Sequence, residues 1–384
     1  MTRTSGSIGG AVSAAALARV GAPVPAVETA SPTALLAWAA ARGRLRSGMA
    51  DSARIAFVGD SKTMGAGAGS GASGTVGAFA RARPARVAAL LAAGGLPVRA
   101  DAFFGCAGLG SIADVLAYDP RRSGFSGWSG GPVSLGGASM TAGSANPGQF
   151  QPSGPADRCS VFIRNGSDRP PLTVTKGAET VTITPTGAPG GFARLEVSFA
   201  TRDANPIVVA RAGGTTNLVL IGMIAWDSQR PGVEIANFGA YGVTSAFQAD
   251  LSSAGAPAAA LAAYAPHLTV VNLGTNDSQQ AVPMATWLAK IRMIVQQARA
   301  SGSVVLSWPA VAGVSPNGGT DANRAQWRNA LRALAFETEC LFIDEEALLG
   351  GRAAAQASGA FFDALHESPW AYDVQAAAIV RAIL

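Results

Sequence analysis

The run Ile55-Ala56-Phe57-Val58-Gly59-Asp60-Ser61 is apolar up to Val58 and becomes polar within the next three residues. A short apolar run that ends in such a turn is typical of a buried strand. A serine that follows a strand of this kind lies at the edge of a sheet, where a substrate can reach it. The stretch therefore predicts a strand that carries a candidate nucleophile, Ser61, directly after its end.

A serine hydroxyl becomes a nucleophile when a base accepts its proton and a carboxylate orients that base. Both groups occur near the other end of the chain, in Asp363-Ala364-Leu365-His366. The chain has two histidines, and the other one, His267, follows Pro266 at the start of a predicted strand. We therefore predict that His366 is the general base and that Asp363 orients it.

Two more polar turns follow apolar runs. Val270-Val271-Asn272-Leu273 leads into Gly274-Thr275-Asn276-Asp277, and Val233-Glu234-Ile235-Ala236 leads into Asn237-Phe238-Gly239-Ala240-Tyr241-Gly242. A Gly-x-Asn-Asp sequence favours a turn whatever its function. Because parallel strands bring their carboxyl ends to one edge of a sheet, these turns are expected to meet the turn that carries Ser61.

The four blocks, in the order Ser, Gly, Asn and His, resemble the SGNH (GDSL-type) hydrolase superfamily. Gly59-Asp60-Ser61 differs from the Gly-x-Ser-x-Gly elbow of α/β-hydrolases, because position 63 is threonine. The resemblance implies a serine esterase with the triad Ser61, His366 and Asp363. It assigns the oxyanion hole to the backbone N–H groups of Ser61 and Gly242 and the side-chain amide of Asn276, with Gly239 as an alternative to Gly242.

Strands alternate with helices over residues 31–100 and 232–384, which predicts an α/β domain. The resemblance, which covers about 55–100 and 233–384, specifies a three-layer α/β/α, flavodoxin-like SGNH fold with a parallel sheet. Residues 1–30 contain Pro23 and Pro25 and are expected to form an extended lead or anchor.

Residues 101–231 differ from both flanking segments. They are rich in Gly, Ser, Thr and Pro and contain short strand-like runs, such as 159–164 and 218–226, without a clear helical pattern. Short strands at roughly ten-residue spacing predict an inserted all-β sandwich or jelly roll that could bind a glycan. We expect its contacts to be largely internal, since insertions are tolerated where the ends of the host chain lie close together.

Composition excludes several classes of protein. Hydrophobic residues make up 48% of the chain and charged residues 14%, which is typical of a folded protein rather than a disordered one. The net charge of +5 comes without a dense basic run, so nucleic acid is not an expected partner. No apolar stretch is long enough to span a membrane. Two histidines and three scattered cysteines do not suggest a metal site, and we expect no cofactor.

The leading hypothesis is an esterase that removes short acyl groups, most plausibly O-acetyl, from a carbohydrate. The alternative is a glycan-binding spike or adhesin of a virion or gene-transfer particle, with residual or accessory esterase activity. An O-acetyltransferase is less favoured. Trp370, four residues after His366, is the candidate for the pocket wall. Trp128, Trp226 and Trp308 could stack on sugars, although core packing is the expected role of each.

The first residues contain Arg3 and a short apolar run, 8–17, that is interrupted by Arg19. This is a weak secretory signal. We expect an extracellular, periplasmic or particle-associated location in preference to the cytoplasm, with possible assembly on a particle or cell surface through the N-terminus.

Overall fold

A computed structural model describes residues 26–29, 31–310 and 321–384. Most of the predicted lead, residues 1–30, lies outside these ranges. Its described part includes strand β1, Val27–Thr29, which pairs antiparallel with Leu341–Asp344 at one edge of the main sheet. The last residues of the predicted lead therefore contribute to the α/β part of the chain.

A seven-stranded sheet forms the centre of the α/β part. Its other strands are β2 (Ser52–Gly59), β3 (Val98–Arg99), β15 (Gly232–Gly239), β16 (Leu268–Asn272), β17 (Ser303–Trp308) and β18 (Leu341–Asp344). Their order from edge to edge is β1, β18, β17, β16, β2, β15, β3, and every pair except β1 with β18 is parallel. Strands buried on both faces read as nearly continuous apolar runs, which is why the sequence pattern located them.

The side chains of β2 alternate between two apolar cores, one on each face of the sheet. Ile55 and Phe57 pack with Trp38, whereas Ala56 and Val58 belong to the core that contains Trp287. The helices of the first face are Leu36–Arg46, Arg83–Ala93 and Pro369–Ile383, and those of the second are Pro257–Tyr264, Met284–Arg299 and Asp321–Glu337. The three-layer α/β/α arrangement is confirmed.

Shorter helices connect these elements. They are Ser61–Met64, Ser245–Gln248, Thr275–Gln279, Glu345–Leu348 and Arg352–Ala357, together with a 3₁₀ turn at Ala78–Arg81. None of the described helices is both long and apolar enough to cross a membrane.

The insertion contains two packed antiparallel sheets. One has five strands in the order β11, β10, β13, β8, β5, and the other six in the order β12, β9, β14, β7, β6, with β4 paired to β14. The strands are β4 (Ala102–Phe104), β5 (Arg122–Gly124), β6 (Trp128–Ser134), β7 (Gly137–Ala142), β8 (Gly148–Phe150), β9 (Ala156–Asn165), β10 (Leu172–Lys176), β11 (Glu179–Ile183), β12 (Gly191–Asp203), β13 (Ile207–Arg211) and β14 (Leu218–Trp226). A single apolar cluster joins the sheets, with Val174 and Val209 from one and Val161 and Leu220 from the other. An additional all-β part is present, as predicted.

The chain passes from the parallel sheet to the insertion between β3 and β4, which belong to the parallel and the antiparallel sheet respectively. A tight turn separates them, in which the Ala102 N–H donates to the Ala100 carbonyl. The insertion also contains a helix, Ile112–Tyr118, whose N-terminus is capped by the Ser111 side chain.

The insertion also packs closely on the α/β part, in addition to the internal contacts that were expected of it. Phe104 of β4 lies edge-on to Phe238 of β15, with ring centroids 4.7 Å apart. Arg194 of β12 makes two hydrogen bonds, of 3.2 and 3.0 Å, with the buried Glu234 of β15. Glu234 also accepts the Tyr264 hydroxyl at 2.5 Å. One face of the six-stranded sheet therefore covers the α/β part, and its other face covers the five-stranded sheet.

We expect that replacement of residues 101–231 by a Gly/Ser linker prevents folding of the remaining α/β part. The deletion exposes Phe238 and Tyr264 and leaves Glu234 without Arg194. Loss of one partner of a buried ion pair costs about 3–5 kcal/mol, and each newly exposed aromatic side chain about 1.5–3 kcal/mol. The measurement is thermal unfolding followed by circular dichroism. A soluble truncated protein with a cooperative transition near that of the full chain would contradict the shared core.

Candidate active site

The three central strands bring the predicted site segments to one edge of the sheet. Gly59 at the end of β2 is paired with Gly239 of β15 on one side and with Asn272 of β16 on the other. A Cβ on Gly59 would collide with the Thr63 side chain and the Asn272 carbonyl, so this position requires glycine. The turn that carries Ser61 is thus packed closely between the turns that carry Gly242 and Asn276.

Ser61 is the first residue of the helix Ser61–Met64. Asp60 caps this helix, with its Oδ1 accepting the Lys62 N–H at 3.0 Å. The helix ends at Gly65, whose φ of +109° is a left-handed conformation that favours glycine. This short turn places the Ser61 hydroxyl beyond the end of β2.

The structure brings Ser61, His366 and Asp363 together. The His366 Nε2 lies 2.9 Å from the Ser61 Oγ, and the His366 Nδ1 lies 2.8 Å from the Asp363 Oδ2. The other oxygen of Asp363 accepts the backbone N–H groups of Leu365 and His366, both at 2.7 Å. Ser61 and His366 are buried, whereas Asp363 is partly exposed. The three side chains form an unbroken line of hydrogen bonds from carboxylate to hydroxyl.

The environment of Asp363 keeps its carboxylate charged. Partial burial opposes ionisation, but the hydrogen bonds from the His366 side chain and the backbone outweigh it and lower the pKa of Asp363. An ionised carboxylate at Nδ1 holds the proton of the imidazole on that nitrogen, which leaves Nε2 free to accept the proton of Ser61.

The side chain of Asn276 lies beside the turn that contains Gly242. Its Nδ2 donates to the carbonyl of Val243 at 2.8 Å, and the second N–H of the amide remains for another acceptor. Asp277, the next residue, accepts the Ser245 N–H and hydroxyl, so the two segments are tied together at both positions. Gly242 has a φ of +72°, a conformation suited to glycine.

The alternative oxyanion residue, Gly239, is already engaged. Its N–H donates to the Asn237 side chain at 2.9 Å, and a Cβ at this position would collide with the Met64 backbone. Gly242 is therefore better suited than Gly239 to donate to a substrate oxygen.

Tyr241 is a site residue that the sequence analysis did not single out. Its ring stacks on the imidazole of His366, with the ring centroids 5.8 Å apart and the planes inclined by 27°. Its backbone N–H donates to Ala107 at 2.7 Å, and Gly108 leaves room for this approach. The only signal in the sequence was an aromatic residue directly before Gly242.

Trp370, the candidate for the pocket wall, is partly buried. It packs against the apolar cluster of Leu349, Ala355 and Ala360. Its position on the first turn of the helix Pro369–Ile383 points it to this cluster, and no described contact brings it to Ser61. Trp128 and Trp308 are buried, and Trp226 packs with the guanidinium groups of Arg99 and Arg194.

Within residues 26–29, 31–310 and 321–384, no group of three or more His, Cys, Asp and Glu side chains is arranged to hold a metal ion. Cys106, Cys159 and Cys340 are buried free thiols. His267 accepts the Arg54 N–H through its Nδ1 at 2.9 Å and directly precedes β16, at the start of a strand as predicted.

A model of a known protein family matches part of the chain. Residues 222–374 match the model of the GDSL-like lipase/acylhydrolase family. This range includes Gly242, Asn276, Asp363 and His366, while Ser61 precedes it because the insertion separates the two parts of the domain. This part of the chain is therefore similar to the GDSL-type acylhydrolases, the family that the four blocks resemble.

One solved structure shares the fold over most of the chain, and others match a part of it. A structure described as "Peptidoglycan O-acetylesterase in action, 5 min" has a TM-score of 0.68 at 17% identity and covers 93% of this chain and 97% of its own. Axe2, an acetylxylan esterase from Geobacillus stearothermophilus, has a TM-score of 0.32 at 20% identity and covers 40% of this chain and 73% of its own. The first similarity includes the insertion. A search of curated proteins finds no match.

The position of Asn276 leads to a prediction about rate. Asn276→Ala removes an amide directed at the proposed oxyanion site, and loss of one such donor lowers kcat by about 10²–10³-fold. Asn146→Ala is the control, because it removes a similar amide–carbonyl bond, from Nδ2 to the Ser126 carbonyl, in the β-sandwich. The measurement is steady-state hydrolysis of p-nitrophenyl acetate. Equal kcat values for the two variants would exclude Asn276 from the oxyanion site.

Proposed function

We propose that the protein is a serine esterase that removes short acyl groups, most plausibly O-acetyl groups, from a carbohydrate. The observation that carries this proposal is the hydrogen bonding of one imidazole to both the Ser61 hydroxyl and the Asp363 carboxylate. In this role, Ser61 is the nucleophile, His366 the general base and acid, and Asp363 the group that orients and stabilises the imidazolium.

The chemistry follows from these positions. The Ser61 Oγ attacks the ester carbonyl while its proton passes to the His366 Nε2. The carbonyl oxygen becomes negatively charged and accepts hydrogen bonds from the backbone N–H groups of Ser61 and Gly242 and from the Asn276 amide. His366 then gives the proton to the sugar oxygen as its bond to the acyl carbon breaks, so the sugar leaves with a free hydroxyl. Water attacks the acyl-enzyme while His366 accepts a proton from it, and the bond between the acyl carbon and the Ser61 Oγ breaks as His366 returns that proton to Oγ, which releases the carboxylic acid and restores Ser61.

Aromatic side chains at the site support a carbohydrate as the alcohol part of the ester. Of the aromatic residues in the described ranges, Tyr241, Phe336 and Phe362 are exposed, by 38%, 39% and 41%. Tyr241 stacks on His366, and Phe362 lies in the same tight hairpin as His366, with its N–H donating to the His366 carbonyl. Exposed aromatic rings next to a reaction centre offer flat apolar faces to the C–H groups of a sugar ring.

We therefore assign sugar recognition to the residues around Ser61 and not to the insertion. Each exposed aromatic side chain in the described ranges lies outside residues 101–231. The large aromatic side chains of the insertion pack in its own core or against the α/β part. The similar fold described as a peptidoglycan O-acetylesterase motivates the choice of an O-acetylated glycan as the first substrate to test.

The test compares a small ester with a polymeric one. Hydrolysis of p-nitrophenyl acetate and release of acetate from an O-acetylated polysaccharide are measured for the wild type, Ser61→Ala and Tyr241→Ala. Ser61→Ala is expected to lose at least about 10³-fold in kcat on both substrates, because a triad without its nucleophile retains only binding and oxyanion stabilisation. Tyr241→Ala is expected to lose more kcat/KM on the polysaccharide than on the small ester, by about tenfold or more.

Phe336→Ala is the matched control, because its ring is as exposed as that of Tyr241 and lies on the helix Asp321–Glu337. This variant should match the wild type on both substrates. A wild-type protein that binds the glycan without releasing acetate would instead support the spike or adhesin function. Equal losses of Tyr241→Ala on both esters would remove the basis for sugar recognition at this residue.

A further inference from the structure

The neighbours of the proposed nucleophile and base form an ion pair of their own. Lys62 follows Ser61 and Glu367 follows His366, and the Lys62 Nζ lies 3.0 Å from the Glu367 Oε1. Both side chains have an exposed fraction of 0%. A charge this deeply buried is costly unless all of its hydrogen bonds are made.

The ammonium group of Lys62 makes three hydrogen bonds, two of them to the residues that flank His366. Besides Glu367, the ammonium group donates to the carbonyls of Leu365 and Ala310. Leu365 and Glu367 are the residues on either side of His366. The ammonium group therefore holds the backbone of Leu365 and the side chain of Glu367, on either side of His366. The backbone of Lys62 itself follows directly after Ser61.

Glu367 is fixed in turn by the helix Pro369–Ile383. Its Oε1 also accepts the side-chain amide of Gln375 at 3.2 Å, and Gln375 accepts the Nε of Arg83 at 3.2 Å. Arg83 is paired with Glu345, which accepts the Ser307 hydroxyl at 2.6 Å. The pair is thus attached to both the first helical layer and the end of β17.

We propose that Lys62 and Glu367 are positioning residues that hold the Ser61 hydroxyl and the His366 imidazole at hydrogen-bonding distance. This inference rests on the proposed Ser61–His366 chemistry. Buried ion pairs contribute little to stability compared with apolar residues of the same size, so stability is a weak reason to place one here. Alignment of two chain segments that are 305 residues apart is a stronger one.

The charges around the pair show why Lys62 is needed. Three buried carboxylates, Asp60, Glu345 and Glu367, face two buried cations, Lys62 and Arg83. Burial raises the pKa of Asp60, the charge and backbone N–H of Lys62 lower it, and smaller effects of Glu367 and Arg83 raise and lower it, so that the net pKa is about 7. Among the described residues, Asp60 Oδ2 and Glu367 Oε2 are buried without a hydrogen-bond partner. Without Lys62, one cation remains for three carboxylates, and the segment 365–367 loses its fixed position.

The experiment separates alignment from stability with three variants: Lys62→Met, Glu367→Gln and the double variant Lys62→Met/Glu367→Gln. Each single variant removes one charge of the pair and leaves the other without its partner. The double variant removes both charges. Lys176→Met is the matched control, because Lys176 is also fully buried and pairs with Asp203 at 2.6 Å in the β-sandwich. Thermal unfolding and the kcat and KM for p-nitrophenyl acetate are measured for every variant.

Lys62→Met and the double variant are expected to lose about 10–100-fold in kcat with KM within about twofold of the wild type, as for a displacement of reacting groups by about 1 Å. The double variant should regain thermal stability relative to Lys62→Met but not kcat. Glu367→Gln should keep more activity than either, because the amide oxygen still accepts from Lys62. Lys176→Met should lower the melting temperature without a loss in kcat.

Recovery of kcat together with stability in the double variant would overturn the positioning role, as would a kcat of Lys62→Met equal to that of Lys176→Met. If Lys62→Met does not fold, the double variant decides the question. Failure of the proposed function gives a different result. If the wild-type protein shows no hydrolysis that depends on Ser61, the proposed chemistry is wrong, and this is known before the variants are compared.

Discussion

The site depends on the parallel pairing of β2 with β15 on one side and β16 on the other. Gly59 lies between Gly239 and Asn272 with no room for a side chain, so the three strands end at the same level and their turns pack against one another. The turns that carry Ser61, Gly242 and Asn276 therefore all lie at this edge of the sheet. His366 comes from a late hairpin and is attached to the same edge by the bond to Ser61 and by the buried contact between Lys62 and Glu367.

The pattern of the sequence was sufficient for the parts of the molecule that depend on apolar runs. The strands of the parallel sheet are buried on both faces, so each one appears as a short apolar run, and the polar residue after it marks the functional edge. Ser61 and Asn276 were found in this way, whereas Asp363 and His366 came from the Asp-x-x-His near the other end of the chain and Gly242 from the family resemblance. The His366 imidazole lies within hydrogen-bonding distance of both Ser61 and Asp363. Their catalytic roles remain a proposal that experiment must decide.

Features that arise from tertiary contact could not be predicted. The stacking of Tyr241 on His366 joins residues far apart in the sequence, and Trp370 turns to a local apolar cluster despite its closeness to His366 in the chain. The insertion was recognised by its strands, but a packed interface with the α/β part was not foreseen. Phe104 and Phe162 alternate with residues that face the interior of the sandwich, and this second apolar face packs on Phe238 and Tyr264. In sequence, a strand buried on both faces looks the same whether its neighbours lie in one domain or in two.

The central claim is that Ser61 is the nucleophile of an acyl-enzyme. The most direct test is covalent labelling of the full-length protein with a serine-directed organophosphonate, followed by peptide mass spectrometry. The account predicts a single adduct on the peptide that contains Ser61, which appears in the wild type and is lost in Ser61→Ala and strongly slowed in a His366→Ala variant. An adduct on another serine, or labelling of Ser61 at the same rate without His366, would contradict it.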